Sequence, residues 1–440
     1  MWGSWAEIHP ETAAKLGVEL GDAIKVETEA GSVELPAYLY AGMRKDVVAI
    51  PLGQGHTAYG RYAKDRGVNA LSLLSPAQDA ASGALAYLSA KARLTKGTKA
   101  MDLVMTQRIK DQRDRELAQV IPVAALLAGG AALAAAKSEG SAGPGLPGSI
   151  EQTRPGTHTE PMTHPSGYQT PAHAVSAFES DQQVRAPRQN PVDVGSYQNG
   201  KHRWAMAIDL ASCTGCAACV VGCYAENNIP TVGPEMIKRG REMSWIRIER
   251  FEDKLAPGAH DVRHLPMMCQ HCGDAPCETV CPVYATYHNP EGLNAQIYNR
   301  CVGTRYCSNN CPYKVRAFNW FDYSAPEKAT FAVPEPLNWQ LNPDVTVRSK
   351  GVMEKCTMCV QRILEGKGNA KDENRPVRDG EIQTACAQSC PTQAIVFGDL
   401  MDPESRVSKL SHGERRYWAL NELNTKPGVT YLKKPVHENV

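Results

Sequence analysis

The chain has 440 residues, 42% of them hydrophobic and 30 of them proline, which is enough for two or three domains with real cores and many loops. Its 48 basic and 47 acidic side chains leave a net charge of +1. No basic excess exists to neutralise phosphates, which argues against a nucleic-acid partner. No C-x-x-C-H motif occurs, so covalent c-type haem is excluded from this chain.

Residues 1–95 read as a compact β-rich unit. Ala23 to Thr28 and Ser32 to Tyr40 have the character of strands, and Glu29-Ala30-Gly31 between them suits a hairpin turn. Asp46 to Leu52 is expected as a further buried strand before the loop Gly53-Gln54-Gly55-His56, and a short helix is expected near Ala77 to Lys91. Two stretches carry a resemblance: Glu7-Ile8-His9-Pro10-x2-Ala13-x2-Leu16-Gly17-Val18-x2-Gly21-Asp22, and Gly67-Val68-Asn69-Ala70-Leu71. With them the segment resembles the C-terminal domain of molybdopterin oxidoreductase catalytic chains, a β-barrel that covers part of a pterin dinucleotide. The resemblance implies that the loops at Gly53 to His56 and at Asn69 approach a cofactor. Read from the residues alone, the glycines permit tight turns, Asn69 caps a helix and His56 is a hydrogen-bonded loop residue. The match begins inside that domain, so Met1 is expected to be an artificial or displaced start.

Residues 96–136 are expected to form a helical connector that contains the long apolar run Val120 to Ala136, flanked by Arg113, Arg115 and Lys137. The run is near the lower limit for a spanning helix and contains Pro122, Gly129 and Gly130, so a helix packed on a partner subunit is preferred over weak insertion. It also mimics a signal peptide, although its internal position argues against cleavage. Residues 137–200 are rich in Pro, Gly, Ser, Thr and Gln and read as a linker, with His158, His164 and His173 scattered and solvated.

Residues 201–400 hold every one of the 15 cysteines. The strand Trp204 to Asp209 leads into them, and Ser244 to Phe251 is a second strand. The thiols form four groups: Cys213-x2-Cys216-x2-Cys219-x3-Cys223; Cys269-x2-Cys272-x4-Cys277-x3-Cys281-Pro282; Cys301-x5-Cys307-x3-Cys311-Pro312; and Cys356-x2-Cys359-x26-Cys386-x3-Cys390-Pro391. A C-x2-C-x2-C loop brings three thiolates to one iron-sulfur core, while the fourth cysteine of such a run ligates another cluster. The groups should therefore work in interlocked pairs. The odd count argues against a disulfide framework. Zinc is the competing metal, because C-x2-C is also a zinc pair, and a zinc-bound scaffold would have no redox role. Four closely spaced thiols in the first group, and C-x3-C-P closing the other three, favour iron and sulfide.

Fifteen is one short of four times four. Thr304 stands where a C-x2-C-x2-C run from Cys301 to Cys307 would place its middle thiol, and a neutral hydroxyl is a poor iron ligand. One 3Fe-4S cluster is expected beside three 4Fe-4S clusters, the alternative being a four-iron cluster with Thr304 or water at the open corner. His271, within Cys269-Gln270-His271-Cys272, either hydrogen-bonds a cluster or lies at the surface. Arg362 to Asn374 reads as an exposed insertion. In residues 401–440, Ser405 to Asn424 reads as an amphipathic helix followed by an extended tail, which closes over the chain's own core or docks another subunit.

The four cysteine groups resemble the four-cluster ferredoxin subunits of the molybdopterin oxidoreductase superfamily, such as those of nitrate, dimethyl sulfoxide and polysulfide reductases. That resemblance implies one 4Fe-4S cluster on Cys213, Cys216, Cys219 and Cys390, and a second on Cys223, Cys356, Cys359 and Cys386. A third falls on Cys269, Cys272, Cys277 and Cys311, leaving Cys281, Cys301 and Cys307 for the three-iron cluster. The missing thiol is similar to the nitrate reductase type, in which the three-iron cluster faces the quinol side. The expected fold class is α+β, a partial β-barrel of the molybdopterin-dinucleotide-binding kind followed by a loop-rich double two-cluster ferredoxin domain.

A ferredoxin of this type after a molybdopterin-like domain resembles the iron-sulfur subunit of alternative complex III, a quinol-oxidising respiratory assembly. The implied function is electron transfer between a quinol site and cytochrome c or another acceptor, in a chain that is not catalytic alone. The implied partners are an integral-membrane quinol-binding subunit and c-type cytochrome subunits in a hetero-oligomer, with no molybdenum cofactor. The implied location is the periplasmic side of the inner membrane, peripherally attached, although no export signal is present in this sequence. The alternative is an electron wire to a molybdopterin reductase of the nitrate, polysulfide or dimethyl sulfoxide type.

Overall fold

A computed structural model describes residues 3–85, 90–100, 103–107, 109–112, 115–127, 201–256, 259–323 and 335–437. In the amino-terminal unit, β1 (Ala6–Ile8) leads into the helix Pro10–Leu16. His9 caps that helix by accepting from the Glu11 N–H, Pro10 sits in its first turn, and Gly17 at φ 65° ends it. The expected hairpin follows: β2 (Asp22–Glu27) and β3 (Ser32–Leu39) pair antiparallel, closed by a Thr28 N–H to Gly31 O bond of 2.8 Å. β4 (Arg93–Ala100) adds to β2, so the sheet runs β1-β3-β2-β4. Ile8, Ile24, Val26 and Leu35 pack on Ala13 of the helix and on Leu73, forming a small core of their own.

Three expectations for this unit are corrected. The sheet is open, with β1 and β4 at its ends, so no closed barrel forms among the described residues. Asp46 to Leu52 is not a buried strand: the chain turns, with the Val47 N–H donating to Arg44 O and the Asp46 carboxylate accepting from the Arg44 guanidinium. Only Ala49 bridges to Glu7, and Val47 and Leu52 are exposed. No helix begins at Ala77. The Asp79 carboxylate accepts from the N–H groups of Ala81 and Ser82, and Gly83 takes φ 68°, a local turn that competes with helix formation. Residues 86–89 lie outside the described residues.

The stretch after β4 is a strap, not a helical connector, over its described part. The apolar run starts as β5 (Val120–Pro122), continues as the five-residue helix Val123–Leu127, and then leaves the described residues together with the expected linker and His158, His164 and His173. No helix among the described residues is long and apolar enough to cross a membrane.

The carboxy-terminal body opens with β6 (Trp204–Asp209), as expected. β7 (Ile246–Ala256) and β8 (Ala259–Met268) form a long antiparallel ribbon. β9 (Thr286–His288) pairs with β10 (Asn294–Gln296), and β11 (Ala317–Phe318) with β12 (Met353–Glu354). β13 (Ile395–Asp399), β14 (Arg416–Tyr417) and β15 (Val429–Leu432) join β6 in the order β13-β6-β15-β14. Finally β16 (Lys434–Val436) pairs in parallel with β5. Trp204, Met206 and Ile208 of β6 face the main core, while Ala205 and Ala207 lie under Val407 of the helix Arg406–His412. Both faces of β6 are therefore covered, which is why nearly all of its residues are buried.

Two further expectations change here. Arg362 to Asn374 is not a loose insertion but most of the helix Val360–Asp372, which buries Ile363, Gly366 and Ala370. The helix expected over Ser405 to Asn424 ends at His412, capped by Ser405, and the extended tail becomes a buried central strand: Val429 and Tyr431 are 0% exposed. The tail thus closes over the chain's own core.

Candidate metal centres

The loops that begin at Cys213 and Cys301 are shaped by left-handed residues that put a thiol at the start of a short helix. In the first loop Gly215 (φ 71°) and Ala217 (φ 61°) precede the helix Ala218–Glu226, which carries Cys219 and Cys223. The loop from Cys301 repeats this backbone with Gly303 (φ 72°) and Arg305 (φ 63°) before the helix Tyr306–Asn310, which carries Cys307. In this repeat Thr304 holds the place of Cys216. Gly303 has no alternative, since a Cβ there would lie 2.5 Å from Gly351 O as well as at positive φ.

The thiols gather into four groups across the interior. Cys213, Cys216, Cys219 and Cys390 line the first site. Cys223 meets Cys356, Cys359 and Cys386 in the second, which is fully buried. Cys269, Cys272, Cys277 and Cys311 line the third. Cys281, Cys301 and Cys307 line the last, with Thr304 and Gly303. Among the described residues no three His, Cys, Asp or Glu side chains converge closely enough to hold a single metal ion. The thiols face one another across a space rather than gripping a point.

The groups form a file. Cys219 of the first group feels Cys386 of the second, and Cys356 of the second feels Cys269 of the third. Arg316 donates to Cys277 of the third, and its charge reaches Cys307 of the last. Both ends of the file reach the surface: Cys216 is exposed, and Cys281 and Cys301 are partly so, whereas the eight thiols of the two middle groups are buried.

Burial, followed by the charge of neighbouring thiols, pushes Cys219 up to about 12. Burial and the charge of Cys359 push Cys386 up to about 12. Burial also raises Cys277, to about 11, although Arg316 opposes it. Such crowded thiols ionise together only against strong positive charge, which is what bound iron supplies. Donors are already aimed at the sulfurs: the N–H groups of Ala285, Ala394, Ala385 and Met353 lie 3.1–3.4 Å from Cys281, Cys390, Cys359 and Cys301 respectively. Asn227 Nδ2 reaches both Cys223 and Cys359, at 3.6 and 3.8 Å. N–H to sulfur bonds of this kind tune an iron-sulfur cluster. The four-thiol groups fit a 4Fe-4S core, and the three-thiol group fits a core with three ligated corners.

Spacing alone gives no hint of three further residues at these sites. Arg316 and Lys355 are buried cations, the first against Cys277 and the second donating to the backbone oxygens of Asn294 and Cys356. Asn294 joins them, its Oδ1 accepting from Arg316. His271 is not a surface residue: it is 1% exposed and its Nδ1 accepts from the Asn294 N–H at 3.1 Å. Burial, reinforced by Lys355, drives its pKa well down and keeps the ring neutral. In the amino-terminal unit, Asn69 caps the short helix Ala70–Leu73 by accepting from the Leu71 N–H, and exposed His56 stacks on Tyr59.

Comparison with known proteins matches the same segments. The molybdopterin dinucleotide binding domain matches residues 1–90. The 4Fe-4S dicluster domain matches twice, over residues 212–285 and 260–335. The chain is 41% identical over 245 residues to the iron-sulfur cluster-binding subunit of menaquinone reductase from Nitratidesulfovibrio vulgaris, covering 55% of this chain and 92% of that protein. It is 34% identical over 251 residues to iron-sulfur subunit 1 of the Hdr-like menaquinol oxidoreductase of Archaeoglobus fulgidus, covering 53% and 84%. The iron-sulfur subunit of the arsenate respiratory reductase of a Shewanella species is 31% identical over 253 residues, covering 52% and 96%.

Proposed function

Because this chain belongs to the iron-sulfur electron-transfer subunits of the molybdopterin oxidoreductase family, we propose that its four thiol groups hold a wire between a quinol site and a second acceptor. Cys213, Cys216, Cys219 and Cys390 would hold one 4Fe-4S cluster, Cys223, Cys356, Cys359 and Cys386 the second, and Cys269, Cys272, Cys277 and Cys311 the third. Cys281, Cys301 and Cys307 would hold a 3Fe-4S cluster. The observation that carries this reading is the file itself, two buried groups between two that reach the surface. One-electron carriers arranged so admit electrons at one end, release them at the other and shield the steps between.

The three-thiol end is assigned to an integral-membrane quinol-binding subunit. Its rim carries the exposed side chains Tyr284, Val302 and Tyr306, which supports a partner covering it. A quinol gives up two electrons and two protons, and the clusters take the electrons singly. On this reading the Cys216 end passes them to a c-type cytochrome subunit, in an assembly like alternative complex III on the periplasmic face of the inner membrane. The match of residues 1–90 to a pterin-binding domain favours a second reading, in which the wire serves a molybdopterin reductase.

Low-temperature EPR of the anaerobically purified protein, with iron and molybdenum counted per chain, tests both readings. The proposal expects about 15 irons and the signal of an oxidised three-iron cluster that disappears on reduction. About 16 irons without that signal would remove the three-iron assignment, and zinc in place of iron would end the electron-transfer reading. Stoichiometric molybdenum in the purified complex selects the second reading.

A further inference from the structure

Arg316 lies between the third thiol group and the last and is 6% exposed. Its Nη2 donates to Cys277 Sγ at 3.1 Å, and the charge of the guanidinium also bears on Cys307, opposing the rise that burial imposes on that thiol. Cys277 belongs with Cys269, Cys272 and Cys311, whereas Cys307 belongs with Cys281 and Cys301. The remaining acceptors are all neutral: Gln296 Oε1 at 2.9 Å, Thr286 Oγ1 at 2.7 Å and Asn294 Oδ1 at 2.8 Å. Among the described residues no carboxylate pairs with this arginine. A guanidinium buried without a counter-ion is strongly unfavourable, and among the described residues the negative charge offered to it comes from the sulfurs of two separate sites.

We propose that Arg316 is a shared counter-charge of two adjacent clusters and raises the reduction potential of both. The inference rests on the cluster assignment proposed above. Each reduction adds one electron and makes a cluster more negative, so a fixed cation in contact with its ligand stabilises the reduced form. Since the charge of one guanidinium bears on a ligand of each site, it lifts both potentials together and leaves the difference between them little changed. A purely structural arginine would instead act through Gln296 and Thr286, tying β9 to β10 without regard to its charge.

The test is an EPR-monitored redox titration of the full-length protein with iron counted. Arg316→Gln removes the charge. Gln296→Glu leaves the arginine in place and neutralises it with a carboxylate 2.9 Å away. Both variants should shift the reduction equilibrium of the two flanking clusters at least tenfold toward the oxidised form, 59 mV for one electron. Arg316→Lys should retain most of the wild-type potential, and the cluster on Cys213, Cys216, Cys219 and Cys390 should not move. Full iron with unmoved potentials overturns the proposal, as does a shift at only one flanking cluster, or a shift in Arg316→Lys as large as in Arg316→Gln. Should Arg316→Gln lose iron, Gln296→Glu decides on the same criteria. Wild-type protein without iron would refute the cluster assignment instead, and that outcome is visible before any variant is titrated.

Discussion

Thr304 sits at the same backbone position in its loop as Cys216 does in the first loop, and it lines the cavity of Cys281, Cys301 and Cys307. Thr304→Cys therefore supplies the missing fourth thiol without rebuilding the loop. The expected result is a rise from about 15 to about 16 irons per chain and loss of the three-iron EPR signal in the oxidised protein. Unchanged iron and signal would mean that something other than the missing thiol sets the core at that corner. The cysteines and Thr304 could be read in the sequence because ligand geometry dictates their local spacing. Arg316, Lys355 and Asn294 could not, because each is placed by the packing of distant segments: Arg316 reaches Gln296, Thr286 and Cys277 across chain separations that leave no periodic trace. His271 illustrates the same limit, since its neighbours Cys269 and Cys272 located it while only the fold shows that Asn294 and Lys355 enclose it.

The helix Val360–Asp372 shows how composition can mislead at the level of an element. Its two glycines and its charges suggest a loop, yet Ile363, Gly366 and Ala370 recur at helical spacing and are buried. Gly366 is present because there is no room for more: a Cβ there would lie 2.4 Å from Ile382 Cγ1. Gly368 faces open space. The two glycines should respond oppositely to alanine. Gly366→Ala should cost about 1–3 kcal/mol through overpacking, and Gly368→Ala should add about 0.5–1 kcal/mol through helix propensity. Denaturant midpoints at equal slope would measure both, and two changes of the same sign would refute the packing account. β6 and the hairpin of β2 and β3 were legible because their runs of strand-forming residues are bounded by turn signals. β15 was not, since Val429 to Leu432 is only four residues long and its partner, β6, lies more than 200 positions earlier.

At the scale of the whole molecule, the strap between the two matched regions is held by the carboxy-terminal body. β5 pairs with β16, the Arg263 guanidinium donates to Ala118 O at 2.9 Å, and the Tyr417 hydroxyl donates to Leu117 O at 2.9 Å. Towards the amino-terminal unit, the Lys110 ammonium lies over the Tyr38 ring at 3.9 Å, and Arg250 of β7 pairs with Glu7 and stacks over Tyr40. Gln107 closes the joint, donating to Arg250 O at 3.1 Å and accepting from its N–H. The covalent route through residues 128–200 is therefore not what joins the described parts. A protease site inserted near Pro165 and cut in the folded protein should leave both fragments co-eluting in size-exclusion chromatography at physiological ionic strength, with iron retained. The contacts to the body are mostly backbone pairings and hydrogen bonds, which salt screens little, while the partly exposed Arg250 to Glu7 pair contributes less than about 1 kcal/mol. Co-elution should therefore survive about 1 M salt. Dissociation in high salt would show that the surface charges hold the joint, and dissociation at any salt would show that the chain through residues 128–200 is needed after all.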